Sequence, residues 1–303
     1  MRAPPLSAIE ALMAAVETGN FRKAAEQLAL SPSALSRRIQ ALEAALGEQL
    51  FDRSGHAVQL TDAGRRYVDA VEGPMRAIAT ASGALHGSRQ APLLRVMASH
   101  SLATAWLTPR LGELAAEVSD YEVEVVIGRT PSDFRKHGAD LAILAGPGDT
   151  AELDTRPLVD LVAVPVAAPT LANGEAAPRT LQQIVAARRL AVSEPRGLWE
   201  HWARAAGFNG PVAPSARSYE TLMMLYEASA AGLGVSLGVA LHTDRHLREG
   251  RLQRLLDLRV PMERSYLLAV SPWLPSGRRT HMQRLCDWLQ MQAEQSAAAF
   301  AAH

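Results

Sequence analysis

The chain has 303 residues, and its 31 basic and 31 acidic side chains give a formal net charge of zero at pH 7. This length exceeds one ordinary domain and predicts two or three, while the neutral balance gives no overall attraction to nucleic acid or to a membrane. With 48% hydrophobic and 20% charged residues, the composition excludes extensive disorder and is typical of globular domains.

Three short helices are predicted at the start of the chain. Apolar residues recur at helical spacing over 6–16 and again over 21–28, with Gly19-Asn20 between them and Asn20 placed to cap the second segment. Ser31-Pro32 is a strong signal for a helix start, and Gly47 is the expected end of that third helix. Two short helices followed by a helix with a polar face predict a helix-turn-helix.

A wing and a long helix are predicted next. The turn-rich segment 52–55 lies between two short strand candidates, and Thr61 is placed to cap a helix that reaches about Leu85. Pro74 should free the Ala70 carbonyl and kink this helix. The helix carries a heptad seam of Val68, Val71, Met75, Ile78, Ser82 and Leu85. Such a seam favours pairing with a second copy, and the alternative is packing onto the chain's own domain.

Strand and helix candidates alternate after Pro92, which predicts an α/β region with ligand clefts at strand ends. The strand candidates are 93–98, 121–127, 140–145, 161–167, 190–192, 235–239 and 266–270. The helix candidates are 102–118, 198–206, 219–231 and 279–292. The alanine-rich tail from Ser296 is expected to fray.

Motifs in the first 65 residues or so resemble those of the LysR-type transcriptional regulators. The motifs are Gly19–Leu28, Ser31–Ile39, Leu42-Glu43, Leu46-Gly47, Leu50-Phe51, Arg53 and Leu60–Gly64, in family order and spacing. The segments Trp106–Leu111, Ala139–Ile143 and Gly232–Val235 look similar to the subgroup that includes glycine-cleavage and β-lactamase regulators. One departure is Pro32, where many relatives carry a glutamine.

The resemblance and the residue patterns together predict an α/β protein in three parts. These are a winged helix-turn-helix (1–60), a linker and dimerisation helix (61–90), and a two-lobed effector domain like a periplasmic binding protein (91–303). Lobe I is expected at about 91–162 and 267–303, and lobe II at about 163–266. The predicted function is a sequence-specific transcription regulator controlled by a small, anionic effector. A homodimer or homotetramer is expected, with a pseudo-palindromic DNA duplex and RNA polymerase as further partners.

The predicted DNA contacts lie mainly on the third helix. The early residues of a recognition helix meet base edges in the major groove, and an arginine fork matches guanine, so Arg37 is the first candidate for base reading. Arg38 is rotated toward the phosphates, and residues at the second helix start and in the wing should fix position on the backbone. The full set is Asn20, Arg22, Ser31, Ser33, Ser36, Arg37, Arg38 and Arg53.

The predicted effector contacts begin at Ser99-His100-Ser101, which follows a strand and precedes a helix and can therefore bind an anion. The family resemblance implies an effector site at the same residues and adds further segments to it. The expected contacts are Ser99, His100, Ser101, Arg129, Gly146, Ser193, Ser218, Thr221 and Tyr266. For each of these residues, ordinary turn or capping duty is the alternative.

Other function classes have less support. No nucleophile elbow, phosphate loop or metal-ligand spacing is present, so no catalytic residue, cofactor or metal is expected. Cys286 is a single cysteine, which excludes an internal disulfide and a paired-cysteine peroxide sensor. No signal-peptide core is present and Ala230–Leu241 is too short to cross a bilayer, so a cytoplasmic protein is expected. The remaining alternative is a small-molecule-binding protein without a transcriptional role.

Overall fold

The computed structural model of the chain describes residues 4–52, 59–85, 91–146, 153–212 and 214–302. The chain divides into two compact units. The first contains Met1–Arg89 and Ser132–Gly138, and the second contains Gln90–Pro131 and Ala139–His303. Every helix within the described ranges is too short or too polar to span a bilayer.

The first unit contains the helices and the hairpin that the sequence predicts. They are α1 (Leu6–Thr18), α2 (Phe21–Gln27), α3 (Pro32–Leu46), β1 (Phe51–Asp52), β2 (Gln59–Leu60) and α4 (Asp62–Leu85). Asn20 caps α2 by accepting hydrogen bonds from the Arg22 and Lys23 N–H groups, and Ser31 caps α3 through the Ala34 N–H (3.2 Å). Gly47 ends α3 in the left-handed conformation at φ 73°.

One apolar core holds this unit together. The apolar faces of α1, α2 and α3 pack against each other, and Leu12, Leu35 and Leu42 are completely buried. The β1–β2 hairpin adds Phe51, whose ring lies edge-on to that of Phe21 at 5.2 Å. Since the apolar face of α3 is used in this core, its polar face remains at the surface.

The backbone of Leu50 is fixed from both sides at the junction of α3, the hairpin and α4. The buried Glu43 carboxylate accepts hydrogen bonds from the N–H groups of Leu50 (2.8 Å) and Phe51 (3.3 Å). The Leu50 carbonyl accepts one from the Thr61 N–H (3.0 Å). Gly64, in the first turn of α4, is so close that an added Cβ would lie 2.1 Å from the Leu50 oxygen.

The long helix α4 differs from its prediction in one respect. Val68 is 7% exposed and belongs to the core of the first unit, so the exposed part of the heptad seam begins after it. Ile78, further along the seam, is 46% exposed. The helix is continuous through Pro74, although proline cannot donate a hydrogen bond to the Ala70 carbonyl.

The second unit is built on a mixed sheet. Seven strands in the described ranges form it: β3 (Leu93–Ala98), β4 (Glu122–Ile127), β5 (Leu141–Ala145), β6 (Thr155–Ala167), β9 (Ser236–Val239), β10 (Gln253–Arg254) and β11 (Val260–Val270). Their order is β10-β6-β11-β5-β3-β4, with β9 also paired to β6. A separate parallel pair is formed by β7 (Leu190–Val192) and β8 (Arg217–Tyr219).

Helices lie between these strands. They are α5 (His100–Leu102), α6 (Thr108–Glu117), α7 (Pro131–His137), α8 (Leu181–Ala186), α9 (Leu198–Ala205), α10 (Leu222–Ala230), α11 (Asp244–Arg248) and α12 (Arg279–Ala302). A π-helical turn, Ala103–Leu107, joins α5 to α6, and a 3-10 turn, Ser276–Arg278, precedes α12. The π turn accommodates Pro109, which has no N–H to continue the regular helical bonding.

Two lobes share the long strands β6 and β11. Leu158 and Tyr266 from these strands lie in the lobe I core, whereas Ala163 and Val260 lie in a lobe II core. The strands β3, β4 and β5 are parallel, but β6 and β11 run antiparallel to each other and β11 runs antiparallel to β5. The α/β fold with two lobes is confirmed, and its sheet is mixed.

The last helix extends beyond its prediction. The expected fraying from Ser296 is wrong, because α12 continues to Ala302 and Phe300 is 3% exposed in a lobe II core. Leu285, near the start of α12, packs in the lobe I core. Ser296 lies between them, and its hydroxyl accepts hydrogen bonds from Trp106 Nε1 (3.0 Å) and Arg110 Nη2 (2.9 Å).

Candidate functional site

The exposed face of α3 carries the residues predicted to contact DNA. Ser33 and Arg37 are exposed, whereas Ser36 and Arg38 are half-buried. In the described parts of the chain, no acidic side chain forms an ion pair with Arg37 or Arg38. Both guanidinium groups therefore keep their donors available for a partner outside the chain.

Two of the predicted DNA contacts also cap helices. The Asn20 side-chain oxygen is occupied by the first turn of α2, and the Ser31 hydroxyl is occupied by the first turn of α3. The Ser33 hydroxyl lies 3.1 Å from that of Ser31, so these two serines form one polar group at the α3 start. Arg22 is exposed in the first turn of α2. Arg53 lies outside the described residues.

The predicted effector contacts of lobe I lie around the start of α5. Ser99 caps this helix by accepting a hydrogen bond from the Leu102 N–H (3.3 Å), and His100 is exposed. Ser101 is 6% exposed, and its hydroxyl accepts a hydrogen bond from the Met223 N–H (3.2 Å) in the first turn of α10. This hydrogen bond joins lobe I to lobe II.

The predicted contacts of lobe II flank the same helix start. Thr221 caps α10 through the Met224 N–H (3.2 Å). Ser218 is exposed on β8, and the Ser193 N–H donates to the Tyr219 carbonyl (2.7 Å), so Ser193 follows the parallel partner of that strand. The helix predicted from Tyr219 therefore begins three residues later, since 217–219 pair as a strand.

Arg129 and Gly146 lie at the ends of neighbouring strands. Arg129 is exposed after β4, and Gly146 is buried after β5. The Gly146 N–H donates to the Ser265 carbonyl (2.8 Å), and its carbonyl accepts a hydrogen bond from Arg264 Nε (3.2 Å). An added Cβ on Gly146 would lie 3.0 Å from the end of the Leu267 side chain, so this side chain packs closely against the glycine.

Tyr266 is a buried residue of β11, the hinge strand, which both lobes share. It is 5% exposed, and its hydroxyl lies within hydrogen-bond distance of His242 Nε2 at 2.7 Å. Burial raises the pKa of Tyr266 and lowers the pKa of His242 to about 4. At neutral pH both side chains are therefore uncharged.

Three groups of this region were not predicted from the sequence. They are the Arg264 guanidinium, the His242 imidazole and the Met223 N–H. Arg264 was missed because the strand candidate began at Tyr266, whereas β11 begins at Val260. The other two could not be recognised from their own positions, since only the packing brings them to Tyr266 and Ser101.

Two family models match the chain. The model of the bacterial regulatory helix-turn-helix protein, lysR family, matches residues 6–65, and that of the LysR substrate binding domain matches residues 87–294. The chain belongs to the LysR family. It is accordingly a DNA-binding transcription regulator with an effector-binding domain, which confirms the function predicted from the sequence.

Individual relatives match over almost the whole chain. The transcriptional regulator y4mQ of Sinorhizobium fredii is 31% identical over 95% of this chain and 96% of its own length. The transcriptional activator AmpR of Rhodobacter capsulatus is 28% identical over 95% and 97%. The crystal structure of ArgP from Mycobacterium tuberculosis has the same fold, with a TM-score of 0.69 at 22% identity over 97% of both chains.

Proposed function

We propose that this LysR-family regulator reads a two-fold operator by placing α3 in the major groove, with Arg37 as the main base contact. The observation that carries the proposal is the exposure of Arg37 on the polar face of α3 without an acidic partner in the described residues. A guanidinium fork can donate two hydrogen bonds to guanine O6 and N7, which discriminates by about 1–3 kcal/mol. Ser33 and Ser36 are the neighbouring candidates for base contacts.

The other predicted residues have positioning roles in this proposal. Arg38 is directed to phosphate, and Arg22 and Arg53 bind the DNA backbone. Asn20 and Ser31 hold the starts of α2 and α3, so their contribution is to fix the helix ends as well as to meet phosphate.

Selection of bound duplexes from a random pool tests this assignment. The wild type should enrich two half-sites related by two-fold symmetry. Arg37→Ala should lose about 10-fold or more of its affinity for the enriched sequence and little for random DNA, whereas Arg38→Ala should weaken both. Arg179→Ala, an exposed residue of the second unit, is the control. Unchanged affinity of Arg37→Ala for the enriched sequence would remove the base-reading role.

The exposed seam of α4 is proposed as the surface that pairs two copies. Ile78 is 46% exposed, although it lies in an apolar stripe that should prefer burial. Ile78→Asp should lower the mass seen by light scattering and abolish operator binding, because a buried unpaired charge is costly. Asp69→Lys changes a charge on the opposite face of the helix and should leave the mass unchanged. An Ile78→Asp protein with the full wild-type mass would contradict pairing through the seam.

The effector is proposed to be a small anionic molecule bound between the two lobes, near Ser99, Ser101, Thr221 and Ser218. The hydrogen bond from Met223 to Ser101 supports this, since it shows that the two lobes meet where both offer helix starts. By binding one arrangement of the lobes better than another, the ligand would shift the paired DNA-binding units. A tenfold change in operator affinity needs about 1.4 kcal/mol of coupling.

In this proposal the protein works in the cytoplasm, contacts RNA polymerase and catalyses no reaction.

A metabolite screen by calorimetry tests the effector site. A bound ligand should change the operator footprint, and Ser101→Ala should weaken its binding, whereas Ser276→Ala, an exposed serine elsewhere, should not. A ligand bound equally by both variants would remove Ser101 from the site. Failure of the wild type to enrich any DNA would contradict the proposed recognition of a two-fold operator.

A further inference from the structure

The edge of the lobe I sheet collects two arginines. The strands β3, β4 and β5 run parallel, so their carboxyl ends lie at one edge, where Ser99, Arg129 and Gly146 follow them. The strand β11 runs antiparallel to β5 and pairs Tyr266 with Ala145. Arg264, two residues before Tyr266, therefore lies beyond the end of β5 at the same edge.

Arg264 is a partly buried cation, and no acidic side chain that the structure describes pairs with it. Its Nε donates to the Gly146 carbonyl (3.2 Å), and no carboxylate that the structure describes lies within 4.0 Å of the guanidinium. Asp160, on the neighbouring strand, accepts a hydrogen bond from the Ser265 hydroxyl (2.6 Å) instead. The terminal nitrogens of Arg264 are therefore available to an acceptor outside the described residues.

The positive charges of Arg264 and Arg129 both act on the buried Tyr266 hydroxyl. Burial raises the pKa of Tyr266, and the positive charges of Arg264 and Arg129 oppose that rise. The charge of each guanidinium thus reaches the centre of the hinge strand. A guanidinium held at a partly desolvated edge is stabilised when it binds an oxyanion.

The backbone N–H groups at the starts of α5 and α10 already have protein acceptors. The Ser99 hydroxyl accepts the Leu102 N–H of α5, and the Ser101 hydroxyl accepts the Met223 N–H of α10. A ligand oxyanion at these N–H groups would have to displace a serine oxygen. Among the described residues, the terminal nitrogens of Arg264 have no such acceptor to displace.

We infer that Arg264, assisted by Arg129, is the counter-charge for an acidic group of the effector, and that the effector is a carboxylate or phosphate compound. This inference rests on the proposed effector site and names the chemistry that the site recognises. In it, the serines at the helix starts hold the polar remainder of the ligand. The planar fork of arginine matches either oxyanion through two parallel hydrogen bonds.

The test compares acids with their uncharged amides on the full-length protein. Inorganic phosphate, acetate and succinate, with acetamide and succinamide, are titrated at constant ionic strength while the melting temperature is followed. The variants are Arg264→Gln, which keeps a donor without the charge, and Arg264→Lys, which keeps the charge without the fork. Arg204→Gln, an exposed residue of α9, is the matched control.

We expect at least one acid to stabilise the wild type in a saturable way. Arg264→Gln should weaken that binding 10-fold or more, Arg264→Lys should lie between, and Arg204→Gln should match the wild type. Equal binding by Arg264→Gln, or no saturable response of the wild type to phosphate or either carboxylate, overturns the inference. Operator selection is measured in parallel on the wild type and on Arg204→Gln, and both should enrich the same sequence. Failure of the wild type to enrich any sequence would instead refute the proposed function.

Discussion

Gly64 offers a sharp test of how the DNA-binding unit is assembled. Replacing it with alanine would place a Cβ 2.1 Å from the Leu50 carbonyl oxygen and 2.9 Å from the Leu60 side chain. Cβ atoms are essentially never found closer than 3.0 Å to such an atom, so α4 and Leu50 must separate by about 0.9 Å. The hydrogen bond from the Thr61 N–H to the same oxygen, now 3.0 Å, would be stretched by this movement.

The expected loss of stability in Gly64→Ala is the sum of opposing effects. Overpacking a tight contact costs about 1–3 kcal/mol, and weakening one hydrogen bond costs about 1 kcal/mol more. Alanine in a helix gains up to about 1 kcal/mol over glycine. Since the clash is with backbone, which cannot rotate away, we expect Gly64→Ala to destabilise the first unit by about 2 kcal/mol.

Native-state hydrogen exchange in urea measures this effect in the first unit alone, through the amides of α3. Gly112→Ala, followed through the amides of α6 in the second unit, is the control, because Gly112 also lies in a helix and an added Cβ would meet no atom within 4 Å. That variant should be neutral or slightly stabilised. If Gly64→Ala protects the α3 amides as well as the wild type does, the close approach does not constrain the unit.

Three further changes test other contacts. Glu43→Ala should destabilise the first unit by about 2–4 kcal/mol, because two buried N–H groups lose a charged acceptor, whereas the exposed Glu48→Ala should not. Burial lowers the pKa of His242 from 6.5 to about 4. Its contribution to the free energy of unfolding is therefore present above pH 6.5 and falls by about 2 kcal/mol between pH 6.5 and 5. His242→Gln should remove that part of the pH dependence of the melting temperature, and parallel profiles would contradict it. Phe300→Ala should destabilise the second unit by about 3 kcal/mol in urea, while Met291→Ala, 40% exposed on the same helix, should cost much less.

Local signals predicted the first unit almost residue by residue. The caps at Asn20 and Ser31, and the glycine that ends α3, each act within one helical turn, so their chemistry can be read from adjacent residues. The role of Glu43 could not be read in this way. It depends on a backbone seven residues away that only the folded hairpin brings to its carboxylate.

The candidate effector site was predicted in part. The polar residues after β3 and before α10 were recognised because strand ends and helix starts have signatures in the sequence. Arg264 was missed because the polar residues 263–265 interrupt the apolar pattern of β11. The elements α7, α8, α11, β8 and β10 were also missed, since each spans seven residues or fewer and offers little periodicity.

The sequence by itself determined the family, the helix-turn-helix and the alternation of strands and helices, because these rest on spacing and on caps that act locally. Only the tertiary structure decided which strands cross between the lobes, that α12 continues past Ser296 to bury Phe300, and that Ser101 meets the start of α10. These features join residues that are far apart in the chain. Their free energy comes from burial and from hydrogen bonds that exist only after packing, so no local pattern encodes them.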